Sequence, residues 1–151
     1  MIRVLPMLLC AAVACGQGAA VDSGADFNRA CDDGEPFDAY VDGLGRATTN
    51  GVHQLALTSD PGPPDVGQVG FVIEVDGGAM LDGVVELRPW MPLHGHGTVP
   101  EILSGAHDGS GSYAFEPVDL FMPGLWELHV SVDALGDGQM DEGLYRFCLE
   151  G

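Results

Sequence analysis

The stretch Trp90-Met91-Pro92-Leu93-His94-Gly95-His96-Gly97 places one thioether and two imidazoles within six residues, in a chain that has five histidines and six methionines in all. Thioethers select soft Cu(I), and imidazole accepts copper in either oxidation state, so Met91, His94 and His96 are candidate copper ligands. Gly95 and Gly97 carry no side chain, which leaves the two imidazoles room to turn toward a common point. The same residues also read as a plain bend, with Met91 plugging the end of a core and the histidines solvated. Residue types alone do not separate these readings.

The elements that must position these groups are strands. Apolar residues recur with period 2, and turn residues interrupt them every 8 to 12 positions. In Trp126-Glu127-Leu128-His129-Val130-Ser131-Val132-Asp133 the apolar set faces one way and the polar set the other. Val69, Phe71, Ile73 and Val75 repeat the pattern, as do Val85 with Leu87 and Tyr113 with Phe115. Strands are expected over 38–44, 52–58, 67–75, 84–90, 98–103, 112–118, 125–133 and 143–149. Asp60-Pro61-Gly62-Pro63-Pro64, Asp108-Gly109-Ser110-Gly111 and Pro123-Gly124 are turn signals between them. No window reads as a helix. Seven or eight short strands over residues 36–151 predict an all-β antiparallel sandwich of immunoglobulin-like type.

Strand parity then brings in a fourth ligand. If each strand crosses the sandwich once, segment 90–97 lies at one end, 98–103 leads away and 112–118 returns. The 119–124 turn, with Met122, falls at the same end as His94 and His96, and the Asp60–Asp65 loop falls nearby. His107 and His53 fall at the opposite end. Met91, His94, His96 and Met122 are therefore the set that parity permits.

Residues 67–133 resemble the YtkA-like family of small secreted or lipid-anchored β-sandwich domains. The resemblance rests on Gly70-Phe71-Val72-Ile73-Glu74-Val75, on Met91-Pro92-Leu93-His94-Gly95-His96-Gly97, on Gly111-Ser112-Tyr113, and on Phe121-Met122-Pro123-Gly124-Leu125-Trp126-Glu127-Leu128. It implies fold and compartment more than activity. Its link to copper handling runs through similar sandwich domains in copper resistance and oxidase assembly.

The chain opens with MIRVLPMLLCAAVAC, in which Arg3 precedes eleven uncharged, mostly apolar residues from Val4 to Ala14. Such a segment is a secretory signal and is too short to span a bilayer. Ala12-Val13-Ala14-Cys15 resembles the lipobox of bacterial lipoproteins, which makes residues 1–15 a lipoprotein-type signal and Cys15 a lipidation site. Read alone, Ala12-Val13-Ala14 is also an ordinary signal-peptidase site, which would leave Cys15 a free thiol in a secreted protein. Residues 16–35, rich in Gly, Ala and Asp, read as a flexible tether.

Cys10 departs with the signal and Cys15 takes lipid, so Cys31 and Cys148 remain as one pair. An even remainder in an exported chain predicts a disulfide. Neither cysteine has the C-x-x-C spacing or the neighbouring histidine of a zinc site. The expected location is the cell envelope or periplasm, at the membrane through the N-terminal lipid.

The chain has no lysine, five arginines and 23 acids, and loss of Arg3 takes the formal charge from -18 to -19. Such a surface repels nucleic acid and concentrates cations. Asp133 to Glu142, DALGDGQMDE, invites comparison with a calcium loop, but Leu135 occupies a ligand position and the twelfth residue is Leu144 rather than Glu. No serine, histidine and acid form a nucleophile-base-orienter pattern, and there is no phosphate loop, so no enzyme activity is expected. The leading expectation is a lipid-tethered envelope module that binds or passes a metal ion, copper first. The alternative is a structural or protein-interaction sandwich domain of an envelope assembly, with H-G-H-G as a bend. An acidic calcium-responsive surface protein is a third and weaker reading.

Overall fold

The structure is a computed structural model that describes Cys31, Gly34 and residues 36–76, 83–133 and 136–151. The signal, the lipobox with Cys15, and all of the tether except Cys31 and Gly34 lie outside the described residues.

Ten strands follow one another, with no helix among the described residues: β1 (Leu44–Ala47), β2 (Gln54–Asp60), β3 (Gly67–Val75), β4 (Val84–Met91), β5 (His96–Gly97), β6 (Leu103–Ser104), β7 (Ala106–His107), β8 (Ser112–Leu120), β9 (Gly124–Asp133) and β10 (Asp141–Leu149). They form two antiparallel five-stranded sheets. One runs β1-β2-β3-β8-β7; the other runs β10-β9-β4-β5, with β6 also paired to β4.

Alternation along the strands builds the core between the sheets, because successive side chains of a strand leave opposite faces. Leu55 and Leu57 of β2, Phe71 and Ile73 of β3, and Tyr113 and Phe115 of β8 face Leu87 of β4, Trp126 and Leu128 of β9, and Tyr145 of β10; all are almost fully buried. Each such aliphatic or phenyl side chain contributes about 1.5–3 kcal/mol by leaving water. Gly143 of β10 leaves space for Leu55, whose Cδ1 lies 2.5 Å from where a β-carbon would stand.

The long central strands fall within two residues of their expected bounds. Two expected strands are absent as such. Of the expected 38–44, residues 38–43 form no strand; the first strand lies at Leu44–Ala47. Instead, Asp38 clamps the chain to β10: its N–H donates to the Arg146 carbonyl (2.7 Å), its carboxylate accepts from the Arg146 N–H (2.9 Å), and it pairs with the Arg46 guanidinium. A carboxylate that takes the ladder hydrogen bond leaves no backbone pairing to continue. Over 98–103 there is likewise no continuous strand but short pairings on either side, β5 and β6 on β4 and then β7 on β8. Pro100 has no N–H to give to a ladder, and such residues sit at edges or bulges. The short edge pieces are what raise the count to ten from the seven or eight expected.

Cys31 and Cys148 form a disulfide, with α-carbons 5.8 Å apart across a sequence separation of 117. It fastens the residues that precede the domain to β10.

Candidate metal centre

β4 delivers Met91 to one end of the sandwich with no solvent exposure. The chain then reverses in a tight four-residue connection. The N–H groups of His94 and Gly95 both donate to the Met91 carbonyl, at 3.2 and 2.9 Å. Gly95 has φ of 67°, a left-handed conformation that glycine enters at no steric cost. The returning residues pair with the strand just left, Met91 opposite His96 and Trp90 opposite Gly97. Gly97 has no alternative, since a β-carbon there would lie 2.3 Å from the Pro89 carbonyl oxygen. The bend thus accounts for both glycines of H-G-H-G through backbone geometry. It asks nothing of the two imidazoles.

Directly opposite residues of an antiparallel pair project from the same face. Met91 points into the core, so His96 shares the inner face. Its ring is half-buried, and Nδ1 is fully buried without a hydrogen-bond partner. An unpartnered buried polar atom costs about 1–3 kcal/mol, a cost the bend does not require.

Two rings meet it, and a third reaches it through one of them. The His94 ring centroid lies 5.5 Å from that of His96, tilted by 50°. The ring of Phe121 stacks on His96 at 5.5 Å and 18°. Phe121 in turn meets Trp126 edge-on at 5.8 Å, and the Trp126 indole N–H donates to the Met122 carbonyl (2.9 Å). Met122 lies in the connection between β8 and β9, partly buried against the core. Met91, His94, His96 and Met122 therefore come to one end of the sandwich, with Met91 and His96 as cross-strand neighbours. His94 and His96 do not extend along a strand, as a 6 to 7 Å spacing from the ~3.3 Å rise would require; the left-handed turn at Gly95 brings their rings closer.

The other histidines stand elsewhere. His107 stacks on Tyr113 at 4.8 Å, where β7 pairs with the first residues of β8, at the opposite end. His53 precedes β2 at that end too, 3.6 Å from Asp76. His129 lies on the outer face of β9 with one ring nitrogen 3.2 Å from Glu127 and the other 3.2 Å from Glu142. The Asp60–Asp65 loop is at the end that holds His94 and His96, with both carboxylate residues exposed. Among the described residues no three of His, Cys, Asp and Glu come together as a metal set. The other candidate donors at this end are the thioethers of Met91 and Met122.

Carboxylates at and beside the connection between β9 and β10 accept from backbone amides. Asp133 accepts from the N–H groups of Asp137 (3.2 Å) and Gly138 (2.7 Å), and Asp141 accepts from those of Asn50 (3.0 Å) and Glu142 (3.1 Å). Burial pushes the Asp141 carboxyl up, but hydrogen bonds from Thr48 and from the Asn50, Glu142 and Val52 amides outweigh it and hold the group below the usual carboxylate value. Ser110 is likewise committed, its hydroxyl donating to Asp108 (2.7 Å) rather than to any imidazole.

Phe121 and Trp126 are the site residues that reasoning from ligand chemistry passes over. They lie in the Phe121–Leu128 segment, yet nothing in their types announces a ring stacked on His96. Gly97→Ala tests the whole arrangement: the added methyl must push β5 off β4, so we expect a loss of about 1–3 kcal/mol in urea unfolding and a displaced His96. A variant as stable as the parent, with an unchanged His96 resonance, would contradict the pairing. Comparison with known protein families, with curated proteins and with solved structures finds no match to this chain.

Proposed function

We propose that this protein is a non-catalytic module of the cell envelope, a YtkA-like sandwich of immunoglobulin-like type, that binds or passes a metal ion, copper first. The observation that carries this reading is the unpartnered, buried Nδ1 of His96 on the same face as the thioether of Met91. His94 lies beside His96, and Met122 follows Phe121, the ring stacked on His96. The donor set fits copper: imidazole nitrogen and thioether sulfur are its ligands in both soft and borderline states, whereas carboxylate-rich sets belong to calcium or magnesium. Metal bound there would supply the partner that Nδ1 lacks. The acidic surface favours cation capture, since Arg46, Arg88 and Arg146, the arginines among the described residues, pair with Asp38, Glu101 and Glu127.

Titration of the exported protein with Cu(I) and with Cu(II) against a competing chelator tests the proposal. One tightly held copper per chain is the expected result. Binding that survives the joint loss of His94 and His96 contradicts it.

A second reading, an interaction domain of an envelope assembly, is favoured by the exposed Leu93, Val99 and Phe121 around the same end, of which Val99 is 97% exposed. It predicts a partner complex that forms equally well with and without copper.

The anchor rests on the cysteine at the small-residue end of the apolar run. Cys15→Ser should move the protein from the membrane fraction to the soluble one, as read by immunoblot of fractionated cells. A parent chain that is already soluble after export would instead assign ordinary signal-peptidase cleavage.

A further inference from the structure

We infer that the site selects monovalent over divalent metal, receiving Cu(I) or Ag(I) from its inner face through His96 Nδ1 and the Met91 thioether. This rests on the copper reading and specifies the ion. The two atoms invoked differ from the donors that solvent reaches first. Met91 has no exposure at all, and its cross-strand pairing with His96 sets both side chains on the core side of the sheet. The buried nitrogen of His96 is Nδ1. His94, by contrast, is exposed.

Three physical consequences follow. Burial cost in the Born picture grows with the square of charge, so a divalent ion pays about four times what a monovalent one pays. No carboxylate joins the histidines among the described residues to offset a second charge. The inner donors are one neutral nitrogen and one soft sulfur, a pairing that suits Cu(I) and leaves Zn(II) or Cu(II) short of hard ligands. A divalent ion is left with the outer edge of the histidine pair, where His94 is exposed and water completes its shell. Phe121, itself half-exposed, covers one face of the His96 ring.

The test uses the exported protein carrying Cys15→Ser, so that no free thiol competes, with the Cys31–Cys148 bond intact. Ag(I) in chloride-free buffer serves as a redox-inert probe, with Cu(II) for comparison. Met91→Leu, which keeps the volume of the core side chain, should lower Ag(I) affinity at least about tenfold while changing Cu(II) affinity less than about twofold. In the parent protein, which needs no variant to fold, imidazole 15N shifts on Ag(I) addition should mark Nδ1 of His96 as the ligating atom. If Met91→Leu leaves Ag(I) binding unchanged, or the shifts mark Nε2, the inner-face assignment is overturned while copper binding that depends on His94 and His96 stands. If Ag(I) and copper binding both survive His96→Ala, the copper reading falls with it.

Discussion

His96→Ala should lower copper affinity at least about a hundredfold, more than the 10- to 100-fold typical of losing a residue that only supports a ligand. His96 is the member of the set whose nitrogen is buried and unpartnered, next to Met91 across the strand pair. Its removal should cost little in folding. The variant loses the stack on Phe121 but also the unsatisfied nitrogen, and these terms oppose each other, so unfolding stability should stay within about 1 kcal/mol of the parent. A large loss of binding with a small loss of stability separates a ligand from a packing residue. His94→Ala should also weaken binding strongly, and Met122→Ala should weaken Cu(I) more than Cu(II), because the thioether is soft. His107→Ala should change nothing, since that ring stacks on Tyr113 at the other end of the sandwich. Chelator competition on the four variants reads all of this. Equal effects from His94→Ala and His107→Ala would dissolve the shared site.

Removing the disulfide should cost about 4–5 kcal/mol by the chain-entropy argument for a loop of this length. Cys31 and Cys148 close 117 positions, nearly the whole domain. Cys148 lies on β10 opposite Leu125, so the bond ties the entering chain to the sheet that also carries β4 and Met91. Asp38 makes a second attachment to the same strand through both backbone groups of Arg146. The joint Cys31→Ser and Cys148→Ser variant should therefore unfold at much lower urea yet keep the clamp while folded. Unreduced mass spectrometry of the parent should show the mass about 2 Da below the dithiol value, from the two hydrogens lost on S–S formation. A variant that unfolds at the same urea concentration as the parent would show the bond to be dispensable.

The sandwich is legible in the sequence because its long strands alternate cleanly, and both sheets keep one face dry. Trp126, Leu128, Val130 and Val132 of β9 are all buried as their spacing implies. The edges are not legible. Val99 and Ile102 look like core residues of a strand, yet both are exposed, because Pro100 breaks the ladder and the chain only touches β4 in passing. Tyr40 likewise suggests a strand residue, but its ring packs edge-on against Phe147 at 6.1 Å. Strand parity nevertheless places Met122 at the end of His94 and His96, since the irregular segment still leads from Met91 down β4 and across to β8. What no spacing reveals is the register that sets Met91 opposite His96. Register follows from turn geometry, here the left-handed Gly95 and the close approach at Gly97.

We propose that copper is held at this one end of the sandwich. The most direct measurement adds one equivalent of Cu(I), which is diamagnetic, to the 15N-labelled, disulfide-bonded protein and follows the amide, imidazole and indole resonances. The expected shifts are confined to Met91, His94, His96, Gly97, Phe121, Met122 and the Trp126 indole N–H, with His53, His107 and the 136–141 connection unmoved. Shifts centred on His107 or on the acidic connection, with His94 and His96 unchanged, would contradict it.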